Sequence, residues 1–510
     1  MTTTANVQLN SMATDPLTIL LLGCGLCNSV ALKIIHDYLL TDSAERVRLL
    51  VVSNWDFTYY SAMYPGVLSG QYSEEQTRIE IPLLAYACNA EFLLASGTRV
   101  DPKARTVTLD SGEVLKYDIL SVNVGSRTLG TLTVPGALEY AIMTRPMNTF
   151  LDKLKATEQK YQDKGVASPR LIVIGSGTSG IELITSTKYR LTQRFGTEIS
   201  ATLLDKSPTV LSSANINYRK IVLHNLDRYN IKTLQNALVK EIREEAVELT
   251  DGRVIPGEII IWATGPEPQP LDTGLPTCAH GFIKVNRALQ STDYENVFAG
   301  GDCVTIEGMP YGFPPKTGVH AVQEGPTIAL NVIAYARMKL YDVPLSLMYY
   351  EPTSDVLQML NFGDGRGMAT KYLMTFSGCW AFTLKDYNDR KLISKFSPTG
   401  LVGAEGYTLY QRVRAQPNAR QLVYAHHCHP PELHWVPLLY SVDIKEQDIE
   451  QEVWRLSAEM AFSLLMESSD TLKEGSSGEF QFQLQIIRRA DADPAFRTQL
   501  VRHYQQLLSS

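Results

Sequence analysis

The sequence predicts an α/β fold built from two copies of one strand–loop–helix unit, and three observations carry that expectation. Two glycine-rich loops each sit between a short apolar run and a helix-like stretch. Each loop is followed, roughly a hundred residues on, by a hairpin and an apolar strand ending in glycine. The composition, 44% hydrophobic and 20% charged over 510 residues, suits a globular chain and excludes disordered, collagenous and coiled-coil classes.

The charge balance narrows the function classes. Lys and Arg number 47 against 54 Asp and Glu, a formal net charge of −7. A chain this acidic lacks the basic surface that phosphate neutralisation needs, so no nucleic-acid partner is expected. Seven scattered cysteines, an odd number, do not make a secreted disulfide framework, and an intracellular location is expected. No apolar run reaches the roughly 18 residues that span a bilayer. The first basic residue is Lys33, so no cleavable signal is evident.

The first loop follows the apolar run Thr18 to Leu22 and reads Gly23-Cys24-Gly25-Leu26-Cys27-Asn28, with a helix expected from Ser29 to Leu40. A strand entering such a loop leaves bare N–H groups at a helix N-terminus, where a pyrophosphate can approach without a Cβ in its way. Gly23 and Gly25 are the expected phosphate contacts, and Asn28 stands where the fingerprint has its third glycine. The next strand, Val47 to Val52, ends in Ser53-Asn54 rather than in the usual ribose-binding acid. Ser53 or Asn54 would then meet the ribose.

The second loop has all three glycines: strand Arg170 to Ile174, then Gly175-Ser176-Gly177-Thr178-Ser179-Gly180, then a helix from Ile181 to Phe195. Strand Thr202 to Leu204 ends in Asp205, close to the spacing at which an acid meets an adenine ribose. Asp205 favours NADH, because a 2′-phosphate would lie against its charge. Lys206 keeps NADPH open as the alternative.

The downstream repeats complete the duplication. Val107 to Val114 is a hairpin leading to Tyr117–Ser126, with Gly125 near its end; Val247 to Val254 leads in the same way to Glu258–Gly265. Both Gly125 and Gly265 join the candidate cofactor contacts. The fold class is therefore two Rossmann-like, three-layer ββα dinucleotide-binding domains. A third element, Val297-Phe-Ala-Gly-Gly-Asp302, is a strand ending in Gly-Asp.

Together with the first loop, this Gly-Asp strand resembles the two-part FAD signature of the pyridine nucleotide-disulfide oxidoreductase superfamily, over roughly residues 16–400. The resemblance implies FAD in the first domain, with Asp302 on the ribityl chain, and NAD(H) in the second. It implies an FAD-binding domain at 16–135 and 280–345, interrupted by an NAD(P)H-binding domain at 136–279. A C-terminal segment follows at 346–400, and an α+β extension at 401–510. Val134-Pro-Gly-Ala137 and Arg145-Pro146 resemble the linker where such chains cross between domains. From Trp55 to Ala87 there is no cysteine, so the redox pair of disulfide reductases is missing. Cys24-Gly-Leu-Cys27 reads as small residues in a crowded loop.

The stretches Tyr59–Tyr72 and Pro314–Gly325 look like segments of type II NADH dehydrogenases, and still more like the flavoprotein module fused to selenide, water dikinases. By that likeness Pro65 lies beside the flavin, Lys316 faces it, and Gln323 lines the acceptor pocket. Val319 replaces the first of two family glutamines. Glu182 matches a glutamate placed near nicotinamide and flavin, where a carboxylate would relay protons. The other reading of Glu182 is a first-turn acid held by the helix dipole. The expected catalytic set is Glu182, Lys316 and Gln323.

In the C-terminal segment, Trp380, Leu384 and Tyr387 share one helical face while Lys385, Asp386 and Arg390 leave it polar. Docking on a membrane surface or building a homodimer is one expectation for this face, and core packing is the other. Beyond it, Gln447–Met466 reads as a helix, Phe480–Ile486 as a strand, and Asp493-Pro494 as the start of a last helix. The run His426-His427-Cys428-His429 with His434 is too local to converge on one ion, and no metal is expected. The expected function is an FAD-dependent NADH oxidoreductase passing electrons to a small acceptor, a quinone, in the cytoplasm or at the mitochondrial inner membrane. The alternative is an FAD-binding protein without turnover that serves as a structural or assembly subunit.

Overall fold

The computed structural model describes residues 16–40, 46–212, 214, 216–310, 312–352, 357–371 and 374–414. The expected elements between 447 and 508 and the histidine run at 426–434 lie outside the described residues.

Two five-stranded parallel sheets carry the chain. The first runs in the order Val297–Ala299, Ile119–Val122, Leu17–Leu22, Val47–Ser53, Glu91–Leu94. The second runs in the order Ile142–Met143, Ile259–Trp262, Leu171–Ile174, Ala201–Leu204, Ile231–Leu234. Four strands of each sheet correspond one to one, so the repeat read in the sequence is a repeat of topology. The second sheet is formed by residues lying, along the chain, between the first sheet's strands Ile119–Val122 and Val297–Ala299. The central strands are continuous apolar runs because both faces of a parallel sheet are covered. In Leu17–Leu22 every residue except Thr18 is buried.

An antiparallel three-stranded meander follows Glu91–Leu94 in the first unit and Ile231–Leu234 in the second. In the first unit the meander is Gly97–Asp101, Thr106–Leu109 and Val114–Lys116; in the second it is Val239–Arg243, Ala246–Leu249 and Val254–Pro256. Where the two units cross, Ser126–Thr128 pairs antiparallel with Pro266–Pro268. Trp262 Nε1 donates to the Leu129 carbonyl at 2.7 Å across the same junction. The two glycine-ended strands are thereby tied together at their exits.

The helices behind the glycine loops begin earlier than the sequence suggests, at Leu26 and Thr178, because each is N-capped by the loop's middle glycine, Gly25 or Gly177. After Ile35 the first helix widens into a π-helical turn, His36–Leu40.

The C-terminal segment is a three-stranded antiparallel sheet, Gln358–Asn361, Gly367–Lys371 and Met374–Gly378, followed by the helix Cys379–Ser394. This helix corrects the amphipathic expectation. Its inward face carries Ala381, Leu384, Lys385, Asn388, Asp389 and Ile393, packed on its own three-stranded sheet. Leu384 is 3% exposed and belongs to the core, whereas Trp380 and Tyr387, expected on the same face, are half-buried. Lys385, expected on the polar face, is buried beside Asp389. Among the described residues no helix is long and apolar enough to cross a membrane.

The two units differ at one buried contact. Adding a Cβ to Gly180 would bring it 1.8 Å from the Gly175 carbonyl oxygen, so only glycine fits. In the first unit Asn28 holds the matching position, and its Nδ2 donates to the matching carbonyl, that of Gly23, at 2.8 Å. Nδ2 also reaches the Ser121 carbonyl at 3.3 Å, and Oδ1 accepts from Ser121 Oγ at 2.6 Å. A hydrogen bond thus replaces a close contact. Restoring the fingerprint with Asn28→Gly is therefore expected to weaken the protein by about 2–4 kcal/mol through unpaired buried groups. Urea unfolding checks it, and an unchanged or raised midpoint would contradict it.

Candidate functional site

Both glycine loops make the same backbone frame. Gly23 N–H donates to the Val52 carbonyl at 2.7 Å, and Gly175 N–H to the Leu204 carbonyl at 2.8 Å. Gly23 (φ +79°) and Gly175 (φ +111°) have left-handed backbones that favour glycine. A Cβ on either would strike the strand behind it, at Asn123 O (2.4 Å) or Ala263 O (2.3 Å). Gly177, Gly125 and Gly265 have open space where a Cβ would stand. Neither helix has an acid in its first turn, and neither N-cap makes a side-chain capping bond. First-turn N–H groups, apart from that of Asn28, which Asn123 Oδ1 accepts, are thus open to a pyrophosphate at each loop with the dipole unopposed. Two dinucleotides fit this chain.

The residues at the adjoining strand ends differ between the units. Asp205 is held by its own loop: Oδ2 accepts from Ser176 N and from Ser176 Oγ, both at 2.6 Å, and Oδ1 accepts from Ser207 N at 2.7 Å. Burial pushes its carboxyl up, but the bonds from Ser176 and Ser207 outweigh this and hold it below the usual range. The charge expected at the ribose is present. The backbone and side chains of Ser176 and Ser207 therefore already occupy much of its acceptor capacity. In the first unit Ser53 is buried with Oγ accepting from Trp55 N at 3.3 Å, and Asn54 is exposed.

Asn28, expected among the cofactor contacts, is fully buried and its amide is bound within the protein, so it frames the loop instead of facing a ligand. Its partner in this role is Asn123, which the sequence reading did not single out. Asn123 Oδ1 accepts from Asn28 N at 3.3 Å, and its Nδ2 donates to the Gly300 carbonyl at 2.7 Å, tying the loop to the Gly-Asp turn. On that turn Asp302 Oδ2 accepts from Ser126 Oγ at 2.9 Å and lies 3.4 Å from Arg145 Nε of the inter-domain linker. The Cys24 and Cys27 thiols are buried, and burial pushes the first up to about 12 and the second well above its usual value. A thiolate is therefore disfavoured at both.

The expected catalytic residues do not form one cluster. Lys316 directs its ammonium onto the Val304 carbonyl and over the Phe282 ring, 4.9 Å from its centroid, and so is anchored to backbone. Gln323 lies half-buried on the helix Gly318–Tyr341, where Oε1 accepts from Tyr350 OH at 3.5 Å. Tyr350 also pairs with His320 Nδ1 at 2.9 Å, and burial lowers that imidazole to about 4, keeping it neutral near pH 7. Pro65 belongs to the short buried helix Tyr64–Leu68, which packs against Thr178–Phe195 and so lies towards Glu182.

Glu182 is the centre of a second, more densely charged cluster. It sits in the second turn of Thr178–Phe195, which removes the first-turn dipole reading. Oε1 accepts from Asn361 N at 2.8 Å. Asn361 Nδ2 in turn donates to Gln71 Oε1 at 2.6 Å. Lys385 Nζ donates to Asp389 Oδ2 at 2.5 Å and to the Ala62 carbonyl at 2.6 Å, and Tyr60 hydrogen-bonds Asp389. Burial opposes the Lys385 charge, but Asp389 and Glu182 outweigh it and keep the ammonium protonated. Burial pushes Glu182 up to about 7, offset in part by Lys385 and by the Asn361 N–H. A carboxyl poised near 7, where the two domains and the C-terminal helix meet, can take or give a proton in either direction. The sequence signal for Lys385 and Asp389 was their i, i+4 spacing, which a helix brings together.

A pH dependence follows. A carboxyl whose folded pKa lies above its unfolded value binds its proton more tightly when folded. Stability therefore falls as pH rises from about 4.5 through about 7. Glu182→Gln keeps an acceptor for Asn361 N–H and leaves the Lys385–Asp389 pair balanced. It is expected to flatten the Glu182 part of that fall and to be more stable than the parent at pH 8, by about 1–2 kcal/mol. Thermal melts from pH 5 to 8 measure both, and parallel curves for the two proteins would refute it.

Comparison with known proteins agrees with this geometry. The pyridine nucleotide-disulphide oxidoreductase family model matches residues 39–325. The chain is 27% identical over 292 residues to the oxidoreductase ptaL of Pestalotiopsis fici, covering 53% of this chain and 72% of that protein. It is 23% identical over 425 residues to a type II NADH:quinone oxidoreductase of Staphylococcus saprophyticus, covering 78% of this chain and all of that one. The fold matches the sulfide:quinone oxidoreductase structure from Aquifex aeolicus with a TM-score of 0.61 at 20% identity, over 78% of this chain and 95% of that one. With the family model spanning more than half of its length and both glycine-loop frames in place, the chain belongs to the pyridine nucleotide-disulphide oxidoreductase family.

Proposed function

We propose that this NAD(P)H-dependent flavin oxidoreductase, with FAD in the first domain and NADH in the second, delivers its electrons to a quinone. The observation that carries the reading is the Glu182–Lys385–Asp389–Tyr60 cluster, which begins two residues beyond the second glycine loop. Reducing a quinone consumes two protons with two electrons, and a half-buried carboxyl pushed up to about 7 suits that need. The quinone reductases among the relatives support the same reading.

Bound FAD supplies the carrier that accepts hydride from NADH and releases electrons to a second substrate. The chain's own residues do the rest. The loop N–H groups behind Gly25 and Gly177 would hold the two pyrophosphates, and Asp302, bonded by Ser126 and beside Arg145, would take the ribityl hydroxyls. Asp205 offers its remaining acceptor capacity, and its charge, to the NADH ribose. Glu182 holds or releases a proton, while Lys385 and Asp389 keep its surroundings charged. Gln323 offers an amide beside the exposed Val319 as a hydrogen-bonding group for a quinone carbonyl. Long-tailed quinones reside in membranes, so the proposal puts the protein at a membrane surface.

Two measurements test this. NADH is expected to exceed NADPH in kcat/KM by at least about tenfold, and Asp205→Asn to narrow the gap by removing the charge that opposes a 2′-phosphate. Equal use of both donors by the parent would assign the preference elsewhere. In rapid mixing, a short-chain ubiquinone analogue should reoxidise the NADH-reduced protein, and Gln323→Ala should slow that half-reaction about two- to tenfold while leaving reduction by NADH unchanged. A flavin that stays reduced with quinone, yet reoxidises with a dye or oxygen, would overturn the quinone assignment.

A further inference from the structure

One buried carboxylate has no place in the reactions above. Glu324, on the helix Gly318–Tyr341, is 2% exposed, and its Oε2 accepts from the backbone N–H of Gly301. Gly301 has a left-handed backbone, φ +74°, in the turn that carries Asp302. The turn is crowded on every side. A Cβ on Gly300 would lie 2.7 Å from Ile328 Cδ1, 2.8 Å from Cys27 Sγ and 3.0 Å from Glu324 Oε2; one on Gly301 would lie 2.5 Å from Asn123 Nδ2. The next residue of the helix, Gly325, lets it approach the first loop's helix: a Cβ there would lie 2.7 Å from Val30 Cβ and 3.0 Å from the Cys27 carbonyl oxygen. Glu324 therefore stands at the junction of the two sequence segments that form the first dinucleotide cradle, 23–28 and 300–302.

A carboxylate is a costly occupant of such a place, since burial opposes its charge. Desolvation pushes it up to about 7, against the Gly301 N–H and Lys316, which favour the ionised form. An apolar side chain would pack there without that cost but would leave the Gly301 N–H without an acceptor inside the protein. We infer that Glu324 is a positioning residue for FAD: by accepting the Gly301 N–H it sets the turn that aims the Asp302 carboxylate, and so governs flavin retention without touching the flavin. This rests on the reading of the first domain as the FAD site.

The test compares the full-length parent with Glu324→Gln, which keeps an acceptor oxygen, and Glu324→Met, which keeps the length without one. Flavin absorbance after desalting gives FAD occupancy, and fluorescence titration of the deflavinated proteins gives FAD affinity. Calorimetric titration with NAD+ reports the second cradle separately. Glu324→Gln is expected to stay within about twofold of the parent for FAD, and Glu324→Met to lose at least about tenfold, with NAD+ affinity equal in all three. Full FAD affinity in the Met variant overturns the inference. So does an equal loss in the Gln variant, or a parallel loss of NAD+ binding, which would make Glu324 a general core residue. A parent that takes up no added FAD would instead overturn the reading of the first domain, and this inference with it.

Discussion

The close approach between each glycine loop and the strand behind it is the constraint on which the rest of the structure depends. At Gly23 and Gly175 a backbone carbonyl of the neighbouring strand lies where a Cβ would stand. This contact pulls the loop down onto the end of the sheet and turns the following helix so that its N-terminus opens into the cradle. The helix dipole and its free N–H groups then offer an anion a positive end in two places. Because the demand is steric and falls on the backbone, it survives the divergence of almost every side chain around it.

The two cradles show how that divergence is absorbed. The second has the closest possible packing, Gly180 against the Gly175 carbonyl with Ala263 alongside. The first has asparagines at both matching positions, 28 and 123, and uses their amides to bond what the second simply presses together. Asn123 gains a further function from the exchange, since it reaches the turn that bears Asp302. The strand-end difference, Ser53 against Asp205, puts a negative charge at that end of the second cradle and none at the matching point of the first. One duplicated frame therefore offers two electrostatic settings, suited to two different dinucleotides.

Just beyond the second glycine loop lies a cluster that stability alone would not favour. Taking Lys385 and Asp389 out of water costs several kcal/mol per ion before their mutual attraction is counted, and apolar residues could fill the same volume. The arrangement is tolerated because the pair is bonded at close range and because Ala62, Asn361 and Tyr60 satisfy remaining donors and acceptors. It also fastens the C-terminal helix to both domains at the point where they meet. A titratable group held near 7 in that position is a chemical asset, and the buried pair beside it keeps its neighbourhood polar.

The glycine loops, the order of strands around them, the repeated hairpins and the Gly-Asp turn were legible in the sequence by itself. Each is a local pattern, in which backbone sterics or alternation of burial demands a residue type at a short spacing. What the tertiary structure alone decided is which side chains face one another. Asn28 looked like a defective third glycine because its partners, Ser121 and Asn123, lie more than ninety residues away. Lys385 and Leu384 looked like the polar and apolar sides of a surface helix, yet both are buried, since Asp389 and the Ala62 carbonyl make an ammonium acceptable inside. Lys316 turned towards a backbone carbonyl, and Asp205 towards its own loop, for the same reason. A charged or amide side chain settles on whichever partner folding brings nearest, and that partner is set by contacts between distant segments that no local spacing encodes.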